Sequence, residues 1–131
     1  MPIGTYLVKG EAGNVGTPGA PILEFHLLVV VGSGHVTGHA EIKQALPPPS
    51  GEIVINNVHG HLHELGLPPA PKIQVVTLEG TYTRPIGPPP LIGEILEHFH
   101  AVLVVDHHWN GHGSFTYGSN HVVNVPVKKL P

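Results

Sequence analysis

One stretch predicts a long β-strand, and the rest of the chain is best interpreted around it: Ile53-Val54-Ile55-Asn56-Asn57-Val58-His59-Gly60-His61-Leu62-His63. Side chains alternate between the two faces of a strand, so we expect the odd positions to share one face. That face begins with isoleucine and ends with His59, His61 and His63, spaced about 6.5–7 Å apart. The stretch therefore predicts a strand that carries a ladder of imidazoles.

Apolar runs and turn residues alternate along the rest of the sequence. Gly32-Ser33-Gly34 has hairpin chemistry, and Asn110-Gly111 favours a two-residue hairpin turn. The run 27–31 is expected to be buried on both faces of its strand, and one helical turn is predicted at 91–97. Strands are predicted at 6–9, 22–31, 35–45, 53–63, 72–84, 99–105, 114–117 and 122–127.

This pattern predicts an all-β protein, an antiparallel barrel or sandwich of about eight strands with at most one short helix. The 131 residues fit a single domain, residues 1–131. Pro126 indicates an edge strand or the end of pairing, because proline cannot donate to a ladder. Alternation predicts that Val36, Ala40 and Ile42 share one face of their strand. It predicts the same for Val76, Leu78 and Tyr82 in theirs.

Composition limits the classes of function. Charged residues are 11 % of the chain and the formal net charge is −3, with no basic block, so nucleic-acid binding is not expected. The absence of cysteine excludes disulfides and thiolate metal sites. The longest apolar run is too short to span a bilayer, and the N-terminal residues do not resemble a signal peptide. We expect a cytoplasmic protein that does not bind membranes.

The histidines suggest a metal site or a polar surface. Two histidines at i and i+2 on a strand, with a third ligand from a neighbouring strand, can hold Zn²⁺, Cu²⁺ or Ni²⁺. The candidate ligands are His59, His61, His63, His98 and His100, with Glu64, Asp106 or His107 to complete the set. A solvated or interfacial sheet surface without metal is the interpretation we favour, and no cofactor is expected.

The segment His59-Gly60-His61-Leu62-His63-Glu64 resembles part of the cupin pattern, in which His-x-His is followed by Glu inside a β-barrel. The spacing from His61 to Glu64 is one residue short, and the second cupin motif is missing. The resemblance implies a metal-binding barrel, as a metal-dependent enzyme or a small-ligand binder. Because the sequence shows no Gly-x-Ser-x-Gly elbow, phosphate loop or thiol, our own expectation is no enzymatic activity.

The most aromatic stretch surrounds Trp109. An exposed tryptophan at a hairpin tip can anchor a ligand or partner, and the alternative is that it covers the barrel end and caps the core. The candidate anchors are Trp109, His107, His108 and His112.

Three segments together resemble a small bacterial family of all-β proteins without an assigned function. They are Val36-Thr37-Gly38-His39-Ala40-Glu41-Ile42-Lys43-Gln44-Ala45, Leu78-Glu79-Gly80-Thr81-Tyr82 and Trp109-Asn110-Gly111-His112-Gly113-Ser114-Phe115-Thr116-Tyr117-Gly118. The resemblance implies a fold and no catalytic site.

A surface poor in charge and rich in Thr, Asn and His suggests contacts between copies of the chain. We therefore expect a self-associating structural or packing protein, a homo-oligomer or higher assembly, whose assembly responds to histidine protonation. Protonating all 12 histidines would add as many positive charges to a chain of net charge −3. Acid should then weaken the assembly.

Overall fold

The computed structural model describes residues 4–44, 52–66, 72–85 and 93–131, and these ranges form a closed antiparallel barrel. Each strand pairs with the next along the chain, and the last pairs back with the first. The strands are β1 (Thr5–Ala12), β2 (Ile22–Val30), β3 (His35–Lys43), β4 (Glu52–Leu65), β5 (Ile73–Pro85), β6 (Glu94–Val105), β7 (Gly111–Tyr117) and β8 (Asn120–Lys129). The prediction of an all-β fold of about eight antiparallel strands is confirmed, and the architecture is a barrel.

Apolar side chains fill the barrel. Phe25, Phe99 and Phe115 are the largest fully buried side chains. The sets predicted to share a face point inwards, each at most 6 % exposed: Val36, Ala40, Ile42, Val76, Leu78 and Tyr82. Burying a large apolar side chain contributes about 1.5–3 kcal/mol, so this interior is the main source of stability. Candidate sites must therefore be sought on the outer wall and at the barrel ends. No helix in the described ranges is long and apolar enough to cross a membrane.

A β-bulge changes the phase of β4. Gly38 of β3 pairs with Val58, but Ala40 pairs with Ile55, so Asn56 and Asn57 together oppose one residue of β3. Ile55 is fully buried, whereas the three histidines of the ladder are exposed. The histidines share a face as predicted, but the prediction that they share it with the isoleucines is wrong. The extra residue turns the isoleucines inwards and the histidines outwards.

Side-chain hydrogen bonds hold the bulge. The Asn57 amide donates to the Thr81 hydroxyl (2.8 Å), and the Thr81 backbone N–H donates to the Asn57 amide oxygen (3.0 Å). The register of β4 with β5 begins only at His59 opposite Glu79. The Asn57 side chain therefore replaces the backbone pairing that the bulge interrupts.

The run 27–31 is not buried on both faces. Leu27 and Val29 are each 1 % exposed, whereas Leu28 is 38 % and Val31 is 52 % exposed. A closed barrel has one interior, so Leu28 points outwards between Leu27 and Val29, and Val31 lies beyond the end of β2.

The helical turn predicted at 91–97 is wrong for residues 94–97, which begin β6; residues 91 and 92 lie outside the described residues. The Glu97 carboxylate accepts a hydrogen bond from the Tyr82 hydroxyl (2.8 Å) and forms an ion pair with the Arg84 guanidinium (3.2 Å), both of β5. Burial and the Glu97 contact raise the pKa of Tyr82. These cross-strand contacts override the local helical preference.

Pro126 does not mark an edge strand, because β8 pairs with both β7 and β1. Pairing with β1 reaches Ala12 opposite Val127, and the Pro126 carbonyl then accepts the Gly13 N–H at 3.0 Å. Pro126 therefore marks the end of the pairing of β8 with β1, as predicted, whereas the pairing with β7 continues through it.

The β6–β7 connection is the five-residue loop 106–110, not a two-residue Asn110-Gly111 turn. The Asp106 carboxylate accepts the backbone N–H groups of His108 (2.8 Å) and Asn110 (3.1 Å). These bonds, that of Asn110 first, hold the pKa of Asp106 below its ordinary value. The positive φ of the loop falls on Trp109 (64°).

Trp109 closes this end of the barrel. Its side chain is 3 % exposed, its ring centroid lies 6.0 Å from that of Phe25, and its indole N–H donates to the Tyr6 hydroxyl at 3.2 Å. This burial favours the interpretation that Trp109 caps the core.

We predict that Asn57→Ala lowers the free energy of unfolding by about 1–2 kcal/mol, because it removes both hydrogen bonds to Thr81. The neighbouring Asn56→Ala is the matched control and should change it by less than about 0.5 kcal/mol. Urea unfolding followed by the fluorescence of Trp109, the single tryptophan, measures both. Equal losses in the two variants would contradict the assigned role of Asn57.

We predict that Asp106 contributes stability that acid removes. Its pKa is lowered in the folded state, so the contribution is complete above the unfolded pKa of about 3.9 and disappears as pH falls through the folded pKa. Asp106→Asn should be less stable than the parent near neutral pH, and the difference should shrink below about pH 4. Urea midpoints across this range measure the difference; a difference independent of pH would contradict the prediction.

Candidate functional site

The outer wall from β3 to β6 brings histidines of three strands together. His35 of β3 lies opposite His61 of β4, and His59 of β4 lies opposite Glu79 of β5. Glu79 in turn lies opposite His100 of β6. The barrel therefore builds a lateral histidine surface from residues that are up to 65 positions apart in the sequence, which the spacing within one strand cannot show.

This surface contains a groove of about 530 Å³, which we call the histidine groove. Five histidines line it: His35, His59, His61, His63 and His100. Its floor includes Gly60, where a Cβ atom would collide with the Thr77 carbonyl oxygen. Glycine is therefore required at this position by the close approach of β5, and backbone rather than a side chain forms part of the floor.

The imidazoles of β3 and β4 form a continuous series. The ring centroids of His35 and His61 are 4.7 Å apart, and those of His61 and His63 are 5.9 Å apart. His61 Nδ1 lies 2.9 Å from the Gly60 carbonyl oxygen. Because a carbonyl only accepts, this bond places the proton on Nδ1 and leaves Nε2 free to face the groove or solvent.

His59 has a different environment. Its Nδ1 lies 3.1 Å from the Asn57 carbonyl oxygen, and its Nε2 lies 3.2 Å from a Glu79 carboxylate oxygen. Both neighbours are acceptors, so only the protonated ring can donate to both. The pair is exposed, with His59 at 59 % and Glu79 at 63 % side-chain exposure, so its contribution to stability is small.

The predicted metal ligands are not assembled into one set. In the described ranges, no group of three or more His, Asp or Glu side chains is arranged to hold a metal ion. Glu64 pairs with Lys72 (3.6 Å), Asp106 caps its own loop, and the His107 ring packs on that of His108, with centroids 4.1 Å apart. His98, on the outer face of β6, lies opposite Thr81, one step from the groove.

The cupin resemblance does not extend to the position of the histidines. In that pattern the His-x-His pair faces the inside of the barrel, whereas His59 and His61 are exposed on its outer wall. The bulge in β4 is the physical reason, because it turns the second half of the strand outwards.

A second feature of the outer wall lies beside the groove. One cross-strand row runs His63–Val75–Val104–His112, from β4 to β7. Leu65 and Ile73 form the adjacent pair. Leu65 is 56 %, Ile73 45 % and Val104 44 % exposed, and Val75 is partly buried. We call Leu65, Ile73, Val75 and Val104 the apolar strip.

Histidines therefore lie at both ends of the row through the apolar strip. The sequence analysis identified His63 and His112 but missed the valines between them. The available signal was the run Ala101-Val102-Leu103-Val104-Val105, where the expected polar positions are apolar. Of the other candidate anchors, His107 and His108 are exposed in the loop before β7, and Trp109 is buried.

Comparison with known protein families matches the chain to a family that has no assigned function. A family model described as a domain of unknown function, DUF1842, matches residues 3–122, which is most of the chain. A search of curated proteins found no match. The matched residues include all of the described histidine groove and the apolar strip. The chain belongs to the DUF1842 family.

Proposed function

We propose that this protein is a non-enzymatic, self-associating packing unit, and that histidine protonation regulates its assembly through the apolar strip. The observation that carries the proposal is the row His63–Val75–Val104–His112, in which the exposed Val104 and the partly buried Val75 lie between two histidines. The occupant of the strip is a second copy of the chain.

Barrel closure determines how copies can meet. A sheet with a free edge can extend through backbone hydrogen bonds, but β1 and β8 pair with each other and close the barrel. Where a strand is paired on both sides, association must therefore use side chains of the outer wall. The apolar strip is suited to this role because exposed apolar patches mark interaction sites, and the low charge of the chain opposes contact only weakly.

Protonation acts at the rim of the strip. The charged and titratable groups around it are His63 and Glu64 on β4, Lys72 before β5, Asp106, His107 and His108 in the loop after β6, and His112 on β7. Four histidines outnumber two carboxylates in this set, and Glu64 already pairs with Lys72 at 3.6 Å. In acid the rim becomes cationic, and a contact between two copies brings like charges together. Assembly is therefore favoured at and above neutral pH.

We predict that Val104→Lys weakens self-association near neutral pH by about tenfold or more, because the contact would bury an unpaired charge. Val123→Lys is the matched control: Val123 is an outward-facing valine of β8, 70 % exposed, and lies outside the strip. Light scattering over a concentration series measures the effect. A parent protein that stays monomeric at high concentration, or equal effects of the two substitutions, would contradict the proposal.

We predict that His63→Gln combined with His112→Gln reduces the acid-induced dissociation between about pH 7.5 and 5.5, because neutral glutamine cannot charge the rim. His121→Gln is the control, since His121 lies on β8 outside the row, opposite Thr116 of β7, four positions along that strand from His112. Light scattering and electron microscopy across this range measure the response. An unchanged midpoint in the double variant would assign the pH dependence to other groups.

A further inference from the structure

We propose that the histidine groove is a binding site for a small organic anion, an apolar body with one acidic group, when its histidines are protonated. This site is separate from self-association through the apolar strip, and the two share only His63. The inference rests on the shape of the groove, the imidazole rings that line it and the unequal pairing of its histidines.

The shape of the groove and its imidazole rings favour a molecule with an apolar part. A volume of about 530 Å³ lies within the range of about 300–1,000 Å³ that small-molecule sites occupy. Val36 and Leu78 are buried with their side chains inside the barrel, so the floor at Val36, Gly60 and Leu78 is backbone, and five imidazole rings contribute the rest of the lining. An aromatic body can pack against the faces of these rings, which a fully hydrated inorganic ion would leave exposed to water.

Charge favours an anion. The titratable groups of the groove are His35 on β3, His59, His61 and His63 on β4, Glu79 on β5 and His100 on β6. A Glu79 carboxylate oxygen lies 3.2 Å from His59. Among the described residues, none of the other four histidines of the groove has a carboxylate oxygen within 4 Å. Acid therefore creates a concave surface with several uncompensated cations, and a concave surface concentrates an attractive field on a ligand.

His61 is placed to donate to the bound acid. Its Nδ1–H is held by the Gly60 carbonyl at 2.9 Å, so protonation adds the new N–H at Nε2, away from the backbone. The rings of His35 and His63 both lie next to its ring, and Thr37 lines the same groove. Hydrogen bonds from a cation to an anion are the stronger kind, and they exist here only in the protonated state.

Benzenesulfonate is the test probe, because it combines an apolar ring with a charge that does not titrate in this range. We expect it to bind at about pH 5.5 at least tenfold more tightly than at about pH 7.5. Sulfate tests charge alone and benzyl alcohol tests the apolar body alone; both should bind more weakly than benzenesulfonate at the lower pH. Histidine Cε1–H chemical shifts in NMR titrations give the affinities and locate the probe.

Matched variants test whether benzenesulfonate binds in the histidine groove. His61→Gln combined with His100→Gln should weaken benzenesulfonate binding by about tenfold or more, because two charge-assisted contacts are lost. His121→Gln on β8, outside the lining of the groove, should leave it unchanged, and so should Val104→Lys, which tests the apolar strip. The inference is overturned by affinity independent of pH, by sulfate binding as tightly as benzenesulfonate, or by equal losses in the His121→Gln control.

Discussion

The bulge at Asn56-Asn57 is the constraint on which the rest of the structure depends. In a regular strand, Ile53 and Ile55 would share a face with the histidines, and either the core would contain imidazoles or the wall would expose isoleucine. Two residues opposite one in β3 remove that conflict, and the Asn57 side chain restores the lost pairing with Thr81. One barrel can therefore have an apolar interior and a histidine-bearing outer wall.

Because the interior is packed, the proposed functions both lie on the outside, and histidine protonation changes them in opposite directions. The first proposal expects contact between copies at neutral pH, where the rim of the apolar strip is weakly charged. The second expects the histidine groove to gain affinity for an anion in acid, where the rim becomes cationic. His63 belongs to both surfaces, since it lies opposite Val75 in the strip and beside His61 in the groove.

Much of the fold was predictable from the sequence, and the register was not. Alternation identified the inward positions of β3 and β5, because inward and outward side chains alternate without interruption along each of these strands. In β4 the change of phase was visible in Val58 and Leu62, which are apolar at even positions after Ile53 and Ile55 at odd ones. The candidate site could not be predicted in the same way, because the sequence does not show which positions of neighbouring strands lie opposite each other. Nothing within β6 places Val104 between Val75 and His112.

The central claim is the outward direction of the β4 histidines, and cross-strand nuclear Overhauser contacts test it most directly. The account predicts that Gly38 lies opposite Val58 and that Ala40 lies opposite Ile55, with both Asn56 and Asn57 facing the single intervening residue, His39. It also predicts a contact between the Asn57 amide and Thr81. A regular register, with Gly38 opposite Val58 and Ala40 opposite Asn56, would contradict the account.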